Sequence, residues 1–79
     1  MNYIIAVLDA VHKRERIYLE VSGNKYKILI LDRYTHNEEY ITFDNIDTAI
    51  SAFNQLSEWI IKGKYSTEDK INKIRDLYE

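Results

Sequence analysis

The dipeptide Gly23-Asn24 lies between two runs of alternating apolar and polar residues, RIYLEVS and KYKILILDR. Both residues accept positive φ, so the pattern predicts a β-hairpin with a two-residue turn. In the register that such a turn fixes, apolar side chains oppose apolar ones and Glu20 opposes Lys27, and a slip of one residue would lose both agreements. The predicted pairs are Val21 with Tyr26, Glu20 with Lys27, Leu19 with Ile28, Tyr18 with Leu29, and Ile17 with Ile30.

A third strand is predicted at about 39–43, after a loop centred on His36-Asn37. This loop would pair Ile30 with Phe43 and Leu31 with Thr42. One face of the resulting antiparallel sheet is then apolar and should form the core. Its members are Ile17, Leu19, Val21, Tyr26, Ile28, Ile30, Ile41 and Phe43.

Two helices are predicted after the sheet. The first, at about 46–62, has Asp44 or Asn45 as its N-cap and Gly63 in the C′ position. Its apolar stripe is Ile46, Ala49, Ile50, Phe53, Leu56 and Ile60. The second helix, at about 67–78, has Ser66 as its cap and Asp69 three residues further on. Its narrow stripe is Ile71, Ile74 and Tyr78.

The opening segment has two interpretations. Apolar residues at i, i+3, i+4 and i+7 predict a helix over about 3–14, with Asn2 as its N-cap. The alternative is a strand at 3–8, favoured by the β-branched run but followed by a long loop without a turn residue. We adopt the helix. The prediction is therefore one α+β domain over 1–79, a three-stranded antiparallel meander with helices packed on one face, in the order αβββαα.

Composition excludes several classes of function. The 79 residues contain no cysteine, which fits a cytoplasmic protein and leaves no thiolate nucleophile or cysteine-ligated zinc. No glycine-rich phosphate loop is present, and no apolar run is long enough to span a membrane. The two histidines have too few carboxylate neighbours for a metal site. We predict no enzyme activity, no cofactor and no metal.

Acidic residues are concentrated in the middle of the chain. Residues 34–61 contain five carboxylates and no lysine or arginine, although the net charge of the chain is only −2. Asp44 and Asp47 have a structural explanation at the start of a helix. Glu38 and Glu39 lie at the other end of the predicted strand, where Glu58 could join them. Their charge has two explanations: they are compensated locally by Lys13, Arg14 and Arg16, or they form an acidic binding edge.

The second face of the sheet would carry Tyr18, Leu29, Leu31, Tyr40 and Thr42. Either the N-terminal helix covers this face, or it is a surface for a partner or a dimer. Tyrosine suits surfaces that are alternately wet and buried. Predicted contact residues for a protein partner are therefore Glu38, Glu39, Glu58, Tyr40, Tyr18 and Tyr34.

The segments NEEYITFD and ISAFNQ, with the predicted order αβββαα, resemble a small phage-encoded anti-CRISPR family that blocks the guided DNA nuclease of type II systems. The resemblance implies a short N-terminal helix, a three-stranded meander, two closing helices, and action as an acidic mimic of DNA. Glu38 and Glu39 fall in the corresponding loop. The net charge of −2 departs from the strongly acidic pattern of that family.

These observations favour a non-enzymatic protein-binding module that acts as an inhibitor or anti-defence factor of a phage or mobile element. It would bind a basic site on a larger host protein, such as a nucleic-acid-handling enzyme, in the host cytoplasm. The alternative is a dimeric regulatory or antitoxin-like protein that contacts nucleic acid through Lys13, Arg14 and Arg16. The sequence argues against direct contact with nucleic acid, because acidic residues interrupt the basic N-terminal segment.

Overall fold

A computed structural model of the chain describes residues 2–78. Its elements follow the order ββββαα: β1 (Asn2–Leu8), β2 (Glu15–Ser22), β3 (Lys25–Asp32), β4 (Glu38–Phe43), α1 (Ile46–Lys62) and α2 (Thr67–Tyr78). The four strands form one antiparallel sheet in the order β1-β2-β3-β4. The α+β class and the antiparallel sheet with two closing helices are confirmed, whereas the predicted order αβββαα is wrong.

The β2–β3 hairpin has the predicted register throughout. Glu20 is opposite Lys27, Val21 is opposite Tyr26, and the turn glycine has φ 64°. The alternation of side chains along both strands therefore separates a core face from an outer face, as the sequence indicates.

The predicted helix over 3–14 is replaced by strand β1, which pairs with β2 at one edge of the sheet. The register shifts between Ile4 and Ala6, so a β-bulge interrupts the alternation. Because of the bulge, Ile4 and Val7 lie on the same face of the sheet although they are three positions apart, the spacing that had indicated a helix. The chain then reverses direction without glycine: Lys13 donates its backbone N–H to the carbonyl of Ala10 at 3.2 Å, and His12 adopts a positive φ of 67°.

The β3–β4 pairing also differs from the prediction. Ile30 is opposite Glu39 and Phe43 is opposite Tyr26, so the predicted Ile30–Phe43 and Leu31–Thr42 pairs are wrong. Strand β3 continues to Asp32, whose carboxylate accepts the backbone N–H of Tyr34 and closes a tighter loop. The register moves by an even number of residues, so every side chain stays on its predicted face.

Both helices have the predicted boundaries. Asn45, one of the two proposed caps, accepts the N–H groups of Asp47 at 2.8 Å and Thr48 at 3.1 Å, and Gly63 ends α1 with φ 67°. Ser66 accepts the N–H of Asp69 at 3.1 Å at the start of α2. Asp44 instead pairs with Lys25.

The core lies between the helices and one face of the sheet. It is almost entirely aliphatic, with Phe43 as its aromatic member, and Tyr26, Phe53 and Trp59 pack at its border. Both helices contact the sheet on this side alone, which leaves the outer face without a covering element among residues 2–78. Neither helix has the length and apolar character that crossing a membrane requires.

Candidate functional site: an acidic cleft beside the β3–β4 loop

A cleft of about 430 Å³ opens where the β3–β4 loop meets the start of α2. We call it the acidic cleft, because five of its lining side chains are carboxylates and one, Arg14, is basic. Its lining consists of Arg14, Glu15, Asp32, Thr35, Asn37, Glu38, Glu39, Tyr65, Ser66, Thr67 and Glu68.

Buried ionic groups form one wall of the cleft. Glu15 accepts hydrogen bonds from Lys70 Nζ and from Thr67 Oγ1, both at 2.6 Å, and the Lys70 side chain is 1% exposed. Lys70 Nζ also donates to the carbonyl of Tyr65 at 2.7 Å. The Glu15 carboxylate is thus neutralised, and the pair joins β2 to α2 across the core boundary.

Asp32 is the second neutralised carboxylate. Arg14 donates to its Oδ2 atom from Nε at 2.9 Å and from Nη2 at 2.8 Å, while Oδ1 accepts the N–H of Tyr34 at 2.9 Å. The hydrogen bond from Arg14 and those from the loop backbone, opposed by burial, lower the pKa of Asp32 to about 2. This carboxylate is therefore ionised and paired at neutral pH, so it adds no net charge to the cleft.

Glu38, Glu39 and Glu68 form no ion pair with any residue in 2–78, so the cleft as a whole carries excess negative charge. By strand alternation Glu39 lies on the helix side of the sheet and Glu38 on the outer side. Glu68 is in the first turn of α2, where the helix dipole stabilises it. The predicted pair Glu38 and Glu39 is thus joined at the cleft by a glutamate from a different element.

Tyr65 lines the cleft in an unusual conformation. Its φ of 64° is rare for a bulky side chain, and 46% of the residue remains exposed. The Lys70 hydrogen bond to its carbonyl and an edge-to-face contact with Trp59, with centroids 5.3 Å apart, hold it there. Strain of this kind recurs at binding sites, because the surrounding contacts fix a side chain in a set position.

The other predicted tyrosines lie on two surfaces. Tyr34 is 73% exposed in the β3–β4 loop, with the Arg14 guanidinium 5.2 Å from its ring centroid. Tyr18 and Tyr40 lie on the outer face of the sheet, in register through Leu29. The structure therefore brings Tyr34 near the acidic cleft and places Tyr18 and Tyr40 elsewhere.

Glu58 does not line the acidic cleft. It forms an ion pair at 2.6 Å with Lys62 one turn later in α1, and the hydrogen bond from Lys62 lowers the pKa of Glu58. The contribution of Glu58 to partner binding stays a prediction, and it would be separate from that of Glu38 and Glu39.

The basic residues of the alternative hypothesis are largely engaged within the chain. Arg14 is bound to Asp32, and Arg16 pairs with Asp9 at 3.0 Å and donates to Tyr18 Oη at 3.1 Å. Lys13 has no ion pair with residues 2–78. The cationic charge available to a phosphate backbone is accordingly smaller than the sequence suggests.

Sequence reasoning missed Glu15, Tyr65, Glu68 and Lys70. A signal existed for Glu15, since alternation along β2 places it on the same face as Ile17 and Leu19. Lys70 precedes Ile71 by one position and therefore lies at the edge of the helix stripe. Tyr65 and Glu68 carry no such signal, because their place in the cleft depends on how α2 docks. The carboxylates of the cleft line it without forming a metal site: within residues 2–78 no three histidine, aspartate or glutamate side chains are close enough together to hold one metal ion.

Comparison of the chain with known protein families, with curated proteins and with solved structures finds no match.

Proposed function

We propose that this protein is a non-enzymatic binding module that holds a basic segment of a larger protein in its acidic cleft. The observation that carries the proposal is the convergence of Glu38, Glu39 and Glu68 on one cleft without ion-pair partners in residues 2–78. Carboxylates without counter-charges beside a concave surface attract lysine and arginine side chains and accelerate encounter with them.

Two exposed tyrosines support the same proposal. Tyr65 lines the cleft and Tyr34 is in the adjoining loop, so an approaching basic side chain meets aromatic rings as well as carboxylates. Aromatic residues and arginine are enriched among the residues that dominate binding energy at interfaces. Each ring already has one cation–π contact within the chain, Tyr34 with Arg14 at 5.2 Å and Tyr65 with Lys73 at 4.5 Å, so a basic side chain of a partner would use the remaining surface of the rings.

The proposed role is that of an inhibitor that occupies a basic site on a nucleic-acid-handling enzyme. The support is the arrangement of charge, and the anti-CRISPR resemblance stays a prediction whose expected N-terminal helix is a strand in this chain. The alternative of direct nucleic-acid contact has less support, because Arg14 and Arg16 are bound to Asp32 and Asp9.

The test is affinity capture from a host lysate with variants that reverse charge at the cleft. Glu39→Lys with Glu68→Lys is preferred, because Glu38 also faces the outer side of the sheet. The matched control is Asp47→Lys with Asp76→Lys, which changes the net charge equally. Asp47, like Glu68, is the second residue of its helix, so both variants lose the same favourable dipole interaction.

The expected result is a captured protein whose affinity falls roughly tenfold or more with the cleft variant and stays unchanged with the control. Its association rate with the wild type should also fall as salt rises, because exposed charges are screened over about 10 Å at 0.1 M. A captured protein that binds the cleft variant and the wild type equally would refute the proposal.

A further inference from the structure

The outer face of the sheet carries a continuous apolar row that crosses all four strands. Hydrogen-bonded register places Val7 opposite Tyr18, Tyr18 opposite Leu29, and Leu29 opposite Tyr40. We call these four residues the central row. Val7 and Tyr40, at the two ends, are 49% and 59% exposed. No element of residues 2–78 covers the row, since both helices pack on the opposite face.

Charged rows flank the central row on both sides. The first flanking row, toward the Gly23 turn, consists of Ile4, Glu20, Lys27 and Thr42 in mutual register. The second, toward the acidic cleft, consists of Arg16, Leu31 and Glu38. An apolar centre with a polar border is the usual anatomy of a protein–protein interface.

We infer that the partner of this face is a second copy of the chain, packed sheet against sheet about a two-fold axis along the central row. This rotation places the central row of one copy on that of the other, β1 on β1 and β4 on β4. It also places the first flanking row of each copy on the second flanking row of the other. The face is complementary to itself under this operation.

The flanking charges match in this arrangement. Glu20 of each copy meets Arg16 of the other, because both residues belong to β2. Within each copy Arg16 also pairs with Asp9 at 3.0 Å and Glu20 with Lys27 at 3.8 Å, so this contact is added to charges that are already partly compensated. Lys27 of each copy lies one strand away from Glu38 of the other, about 5 Å across the sheet. A two-fold axis parallel to the strands would instead bring β1 onto β4 and place Glu38 near Asp9, a like-charge contact. The axis parallel to the strands would also place Glu20 of each copy on Lys27 of the other, so the two axes differ in the Glu38–Asp9 contact, which the axis along the central row avoids.

The size of the face predicts a weak dimer. Four strands at about 4.8 Å spacing and roughly six residues at 3.3 Å give a flat area of about 400 Å². Stable interfaces bury about 800 Å² of accessible surface on each partner, and smaller ones form transient complexes. The dimer should accordingly assemble in the range of roughly 10–500 µM. Each acidic cleft lies beyond the second flanking row, so the two clefts would be at opposite ends of the dimer and both open.

The test is sedimentation velocity of the purified chain from about 5 to 500 µM, with no other ligand. The wild type should change from monomer to dimer over this range. Tyr40→Arg should remain monomeric, because the two-fold axis brings the two introduced charges together. Ile61→Arg is the matched control: it replaces another exposed apolar residue, 48% exposed on α1, and should dimerise like the wild type.

A charge exchange tests the orientation. Arg16→Glu alone and Glu20→Arg alone should each weaken the dimer roughly tenfold or more, because each creates a like-charge contact between copies. The double variant should recover affinity relative to either single variant, and circular dichroism checks that all three are folded. A wild type that is monomeric throughout the range would overturn the proposal, and so would a Tyr40→Arg variant that dimerises as well as the wild type.

Discussion

The buried pair of Glu15 and Lys70 makes a sharp prediction about stability. Lys70→Met removes a charge whose side chain is 1% exposed and leaves the carboxyl group of Glu15 buried without its ion-pair partner. Removal of one member of a buried pair costs about 3–5 kcal/mol. A domain of this length has a free energy of unfolding of roughly 4–12 kcal/mol. The single substitution should therefore remove much of the stability of the protein.

A double variant measures the interaction between Glu15 and Lys70 apart from the interactions that each makes with its other neighbours. Glu15→Met with Lys70→Met replaces both charges by apolar chains of similar length, an exchange that often leaves stability unchanged or improves it. We expect it to be more stable than Lys70→Met alone. The coupling free energy between the two positions should be about 2–3 kcal/mol, the upper part of the range for contacting residues. Tyr65 is exposed enough for water to replace the lost hydrogen bond to its carbonyl.

The assay is urea unfolding followed by the fluorescence of Trp59, the single tryptophan, which contacts Tyr65 next to the pair. Lys64→Met is the control, because it removes an exposed lysine between the two helices and should change stability by less than about 0.5 kcal/mol. A Lys70→Met variant within about 1 kcal/mol of the wild type would show that the ammonium group is not buried against Glu15 as described.

Three further predictions concern a carboxylate and two helix ends. The pKa of Asp32 is lowered from 3.8 to about 2, so its pairing with Arg14 stabilises the fold above pH 4 and this stabilisation is lost as the pH falls toward 2. Acid unfolding followed by circular dichroism should show that Asp32→Asn lacks this pH-dependent contribution, which is about 1–2 kcal/mol after allowance for the half-exposed guanidinium of Arg14. Asn45→Ala should cost about 1 kcal/mol in urea unfolding, because two backbone N–H groups lose their acceptor. Gly63→Ala should cost about 1 kcal/mol through its φ of 67° alone, since an added Cβ meets no atom within 4 Å; an unchanged midpoint would contradict this account.

The parts of the fold that sequence predicts are those fixed by local chemistry. Gly23-Asn24 permits one tight turn, and this turn sets every pair of the β2–β3 hairpin. Asn45, Gly63 and Ser66 mark helix ends for the same reason: each satisfies backbone groups that the helix leaves free. Alternation also places the core face correctly, even where the β3–β4 register is shifted.

The two errors in the predicted fold, the helix over 3–14 and the β3–β4 register, both occur next to turns whose residue types do not indicate a turn. The reversal between β1 and β2 uses His12 at positive φ, and the β3–β4 loop uses the Asp32 carboxylate as an acceptor for the loop backbone. Neither segment contains glycine or proline. For the candidate site, sequence predicts an acidic edge at Glu38 and Glu39 but not the cleft that they line. Glu68 joins them only through the docking of α2, a tertiary arrangement that residue spacing does not encode.

Strand β1 has a consequence for how the protein opens. It bonds to β2 alone, and the fully buried core contains no side chain from Asn2–Leu8. Detachment of this strand therefore uncovers only the border of the core against which Ala6 and Leu8 pack. The amide protons of β1 should exchange with deuterium through local fraying, whereas those of β2 and β3 should exchange only when the whole chain unfolds. The molecule would then have a three-stranded inner body that persists while its first strand is loose.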